Sequence, residues 1–208
     1  MDTGNISAII SATAGITGVL LGNSFLTIKE WLIARNKRKK EIAFLAIIVV
    51  SKLDRFANDC LAVAHDDGTE HGVPAGDHED EYVPTVSEPE IQPLDFNVDW
   101  KTLPPNLMYK ILQIPDRRER IKNLLNNIIE YSNDFPENTE YFFTRREEYC
   151  NLGIEVSEIS KQLREVAALP PSDWNRTNQL KQVANSLKKK RSAYERQIAS
   201  EPPIELDI

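Results

Sequence analysis

From Ile6 to Ile28 the chain carries no charged residue. Beyond Glu41 apolar residues recur at helical spacing. Ile42, Leu45, Ala46, Val49, Leu53, Phe56, Cys60 and Leu61 fall mostly on one face of a helix that reaches about Ala64. Neither Gly nor Pro occurs between Gly22 and Gly68, which predicts one rigid stalk through both segments. Over 65–106 the rhythm is lost, and Gly68, Gly72, Gly76 and a series of prolines exclude a long helix. Leu94, Phe96 and Trp100 are the expected docking points of this extended connection.

Periodicity then returns. Pro104 and Pro105 introduce a short helix over Asn106–Gln113, and Asp116 with Glu119 reads as a capping box before Ile121, Leu124, Leu125, Ile128 and Ile129. After Pro136 a longer helix runs to about Ala168, with Tyr149, Leu152, Val156, Ile159, Leu163 and Val166 as a heptad-like seam. Leu169-Pro170-Pro171 ends it. Ser172 or Asp173 is expected to cap a last helix carrying Leu180, Val183, Leu187, Tyr194 and Ile198. Short proline-containing turns between long amphipathic helices predict antiparallel packing in a bundle.

Charge turns the first run into an expected membrane anchor. Its 23 positions would span roughly 34 Å as helix, enough for a hydrocarbon core. Only Asp2 precedes it, whereas Arg35, Lys37, Arg38, Lys39 and Lys40 follow. The positive-inside rule then places the N-terminus outside and the C-terminal part in the cytoplasm. The expected location is a bacterial inner (plasma) membrane, crossed once. Trp31 and the five basic residues are the expected contacts to membrane lipid headgroups. Within the run, Ala14, Gly18 and Gly22, and likewise Ser11 with Gly15, recur at every fourth position, a spacing that lets two helices approach closely and predicts a homo-oligomer. The bland alternative is that small residues are simply common in such helices.

The net charge of −7 is distributed in blocks. Residues 65–99 hold eleven Asp or Glu and no Lys or Arg. All three histidines, His65, His71 and His78, lie there beside Asp67 and Asp77. Imidazoles and carboxylates this close suit a divalent cation, but the spacing matches no established site, so a solvated acidic loop is the expected reading. Cys60 and Cys150 sit in apolar helical contexts and read as core thiols in a reducing compartment. No helix-borne Ser or Cys has an evident base, and no Gly-rich phosphate loop is present. An enzyme is therefore not expected, and no catalytic residue or cofactor is assigned. Lys188-Lys189-Lys190-Arg191 reads as a solvated face, or as one meeting the acidic segment, and nucleic acid is not an expected partner.

The segments RNKRKKEIAFLAIIVV, LAVAHDDGTE and DWKTLPPNLMYKILQIP, about a quarter of the chain, resemble small bacterial or phage-borne proteins with an N-terminal anchor and a helical cytoplasmic tail. The resemblance implies that architecture and supplies no activity or site residue. The expected fold is all-α: a transmembrane helix continuing into a cytoplasmic antiparallel bundle, with an extended acidic loop. It divides as anchor 1–34, collar and stalk 35–64, acidic loop 65–106, bundle 107–200 and flexible tail 201–208. The expected function is that of a membrane-tethered, non-enzymatic interaction or scaffold protein, self-associating and meeting a further protein partner. The alternatives are a membrane-perturbing effector (toxin, holin-like or anti-phage) and a metal- or phosphate-handling enzyme built on the acidic loop.

Overall fold

The computed structural model describes residues 3–78, 80–131, 135–172 and 175–200, with side chains described from Phe25 onward. Its first helix, α1 (Thr3–His65), is a single uninterrupted rod. A two-residue antiparallel hairpin follows, β1 (Thr69–Glu70) with β2 (Val73–Pro74), in which Glu70 faces Val73. Two short 3-10 turns, Pro93–Asp95 and Trp100–Thr102, lead to α2 (Pro105–Leu112), α3 (Ile114–Tyr131), α4 (Thr139–Val166) and α5 (Arg176–Ser200). The protein is all-α, with 74% of it helical and little strand.

Helix α4 is the centre of the bundle. Its buried residues include Phe142, Tyr149, Leu152, Val156, Ile159 and Leu163 on one seam, and Cys150, Gly153, Ser157 and Ser160 beside it. From Tyr149 to Leu163 the first seam packs against Leu45, Ala46, Val49, Leu53, Phe56 and Cys60 of α1, together with Leu107, Ile111, Ile121 and Leu125 of α2 and α3. Cys150 joins Leu180 and Leu187 of α5 and Ala64 of α1 in a second, smaller cluster. At Gly153 an added Cβ would lie 2.9 Å from Cys60 Cβ, so the missing side chain lets α1 and α4 approach closely.

Several expectations need correction. Of the expected docking points Leu94 is 75% exposed, whereas Phe96 and Trp100 pack against the core and stack on each other at 6.1 Å, beside the buried Ile91, Pro93 and Leu103. Helix α3 starts at Ile114, ahead of the expected Asp116–Glu119 box, because a proline in a first helical turn forgoes only an N–H that has no partner there. Val166 and Ile198 are exposed because each lies at a helix end, past the neighbours it would pack on. Asp173, one of the two expected caps of α5, and the tail 201–208 lie outside the described residues.

The largest correction concerns the membrane. Among the described residues no helix is long and apolar enough to cross one, so the single-pass anchor and the N-out inner-membrane placement are not supported. Where side chains are described, the apolar run lasts only from Phe25 to Ile28 before Lys29 and Glu30 charge the helix. Roles at lipid headgroups for Trp31, Arg35, Lys37, Arg38, Lys39 and Lys40 lose their premise with it. The small-residue stripe of Ser11, Ala14, Gly15, Gly18 and Gly22 lies outside the residues whose side chains are described.

Candidate functional site

Two features organise the polar chemistry of the bundle: a buried ion pair at one end of α1 and an exposed arm at the other. The ion pair begins with the helix end. Asp66, one residue past α1, turns its carboxylate inward and accepts from Gly68 N at 3.1 Å, a local turn that only needs a carboxylate two residues ahead. The same group accepts from Thr85 N and Val86 N at 3.1 Å and from Thr85 Oγ1 at 2.8 Å. Arg145 completes the shell, with Nη1 at 2.7 Å from Asp66 Oδ2 and Nη2 donating to Val86 O. Burial alone would raise this carboxyl, but donors from Thr85, Val86, Arg145 and Gly68 outweigh it and hold it below its ordinary value.

Around this knot the acidic connection is held in a defined shape. Gly76 N donates to Glu81 O at 2.8 Å, and Tyr82 N to Pro136 O at 3.2 Å. His65, His71 and His78 all end exposed on it, and Asp67 turns back to Thr69. Among the described residues no three His, Cys, Asp or Glu gather where a metal ion would sit. The basic run on α5 does not meet this segment, since Arg191 pairs instead with Glu147 at 2.8 Å and with Glu140.

Elsewhere the polar groups fasten helices together. Asp54 of α1 takes Arg164 of α4 at 2.7 Å, Arg176 of α5 at 3.3 Å and Ser160 Oγ at 2.7 Å. An open cleft of about 1030 Å³ runs between α1 and segment 86–97, lined by Phe56, Ile91 and Phe96 with charges of both signs. Arg118 in its wall is taken by Glu90 at 3.2 Å and Glu88 at 3.9 Å. The two thiols are sealed in the core. Burial pushes Cys60 well up and Cys150 to about 11, so both stay protonated and unreactive near neutral pH.

At the other end, every described side chain from Phe25 to Glu41 is exposed. Phe25, Leu26, Ile28, Trp31, Leu32 and Ile33 remain 46–69% exposed on this arm. Beside them, Arg35 lies 5.2 Å from the Trp31 ring and Lys37 lies 3.9 Å from Glu41. Leu26, Ile33, Lys37, Lys40, Phe44, Ile47 and Ser51 recur at spacings of three, four or seven, and all are exposed. This outer seam therefore runs from the arm onto the bundle-borne part of α1, where Phe44 and Ile47 stay 67% and 57% exposed.

Sequence reasoning placed Arg35, Lys37, Arg38, Lys39 and Lys40 together, and they do share the arm. It missed Asp66, Thr85 and Arg145. One signal was present: Arg145 occupies a seam position, in step with Phe142, Tyr149 and Leu152, and a charge in an apolar seam calls for a buried partner. Comparison with protein-family models, curated proteins and solved structures finds no match.

Proposed function

We propose that this chain is a non-enzymatic interaction protein whose helical bundle holds out the outer seam of α1 for self-association. The exposed seam carries the reading: Leu26 and Ile33 on the arm and Phe44 and Ile47 on the bundle-borne part lie on one line of a rigid rod, with Lys37 and Lys40 of the basic collar between the two apolar pairs. Exposed large apolar side chains aligned in this way on a folded protein mark a contact site. Reactive groups lie elsewhere, with both thiols buried and the histidines on a surface loop.

Magnitudes indicate the kind of contact. Burying four large apolar side chains contributes roughly 1.5–3 kcal/mol each, before any correction for partial burial in the monomer. Association itself costs about 4–15 kcal/mol. Apolar burial alone therefore falls within the range of the cost. The charges beside the seam decide whether, and with what, the contact forms.

Sedimentation velocity of the full chain over a concentration series tests this. The expected result is a concentration-dependent dimer, lost in an Ile33→Glu/Ile47→Glu variant whose helical circular dichroism is unchanged. A wild-type monomer at every concentration overturns the reading.

A further inference from the structure

We infer that two copies pair antiparallel along the outer seam of α1, each setting its basic collar against the acidic segment of the other; this rests on the self-association reading above. The collar concentrates Arg35, Lys37, Arg38, Lys39 and Lys40 in six residues, and among the described residues its only salt bridge is the exposed one from Lys37 to Glu41. At the opposite end of the same helix, Glu70, Asp77 and Asp80 are exposed and, among the described residues, form no salt bridge. Two blocks of opposite charge thus stand at the two ends of one helix.

They cannot meet within a chain. From Lys40 to His65 the rod is unbroken helix, a separation of about 38 Å at the rise of an α-helix, several Debye lengths at ordinary ionic strength. A second copy turned end for end brings them together twice, once at each end of a twofold contact. A parallel pair would instead align collar with collar, ten like charges along one short stretch, which is repulsive.

Ser51 sets the register of the antiparallel choice. Ser51 lies near the midpoint between the two blocks, and its small side chain lets two helices cross closely there. With Ser51 on the axis, each collar falls at the end of the other copy's α1, where the acidic segment begins. Leu26 and Ile33 then fall beside the β1–β2 hairpin, which offers Val73, 59% exposed, amid its carboxylates. That acidic surface is already shaped by the Asp66–Arg145 pair and the backbone bonds of Gly76 and Tyr82, so little ordering is required on contact.

The test is a charge swap in the full chain, read by sedimentation velocity with circular dichroism as the folding control. One variant reverses the collar (Lys37→Glu/Arg38→Glu/Lys40→Glu) and the other the acidic segment (Glu70→Lys/Asp77→Lys/Asp80→Lys). Expected are a wild-type dimer that weakens at least about tenfold between 50 and 500 mM salt, two monomeric variants, and a dimer restored on mixing them. A dimer that tightens with salt, or that ignores reversal of the acidic segment, overturns the antiparallel pairing but leaves self-association standing. A wild type that never dimerises overturns both.

Discussion

Arg145 Nη1 lies 2.7 Å from Asp66 Oδ2, and neither side chain is more than 1% exposed. The two residues are 79 positions apart, so this contact closes the connection between α1 and α4. Removing one partner leaves the other charged and buried. Arg145→Met or Asp66→Ala is expected to cost about 3–5 kcal/mol. The measurement is urea unfolding followed by circular dichroism. The double variant should cost less than the sum of the two singles, because it leaves no orphaned charge.

The same pair makes stability depend on acid. The folded-state carboxyl of Asp66 is held below its usual value of 3.8, so the native state binds its proton less readily than the unfolded chain. Its contribution is present above that usual value and is lost as pH falls toward and through the folded value. Urea midpoints from pH 6 to pH 2 should therefore converge for wild type and Asp66→Asn at the acid end. A constant difference across that range would rule this linkage out.

Gly153 offers a case where packing and propensity oppose each other. Alanine is the better helix former by about 1 kcal/mol, yet its Cβ would press on Cys60 Cβ at 2.9 Å. Overpacking of a core costs about 1–3 kcal/mol, so Gly153→Ala should lower the thermal midpoint. Gly68→Ala should do the same for a different reason. Gly68 has φ of +80°, and an added Cβ would run into the Phe142 ring.

The buried thiols make a chemical prediction. In the native protein at pH 8, Cys60 and Cys150 should resist a disulfide-exchange reagent, and both should react once guanidinium unfolds the chain. Cys150 is fully buried in its cluster, and its Sγ–H donates to Leu180 O at 3.1 Å. Because burial raises its pKa to about 11, the unfolded chain loses that proton first as pH rises above 9.0, and stability should decline between those values. Rapid labelling of the folded protein would show instead that the core opens there.

Much of the helical architecture was legible because helix formation here depends on local pattern. Unbroken stretches free of proline, with apolar residues at three- and four-residue spacing, specify α1, α4 and α5 whatever they pack against. The collar was legible for the same reason, being contiguous in the chain. The outer seam of Leu26, Ile33, Phe44 and Ile47 was not, since periodicity marked only the face that α4 covers and packing alone shows that these other apolar residues stay exposed.

What the amino-acid order determined by itself is therefore a set of amphipathic rods, their approximate ends and the placement of charge blocks along them. Tertiary structure alone decided that Asp66 is a buried anchor while Asp67 beside it is solvated, because donors from Thr85, Val86 and Arg145 converge on one and not on its neighbour. It also decided that α4 is central and that the arm of α1 stands free. Periodicity acts over a few residues, whereas burial and paired charge depend on groups brought together across the fold.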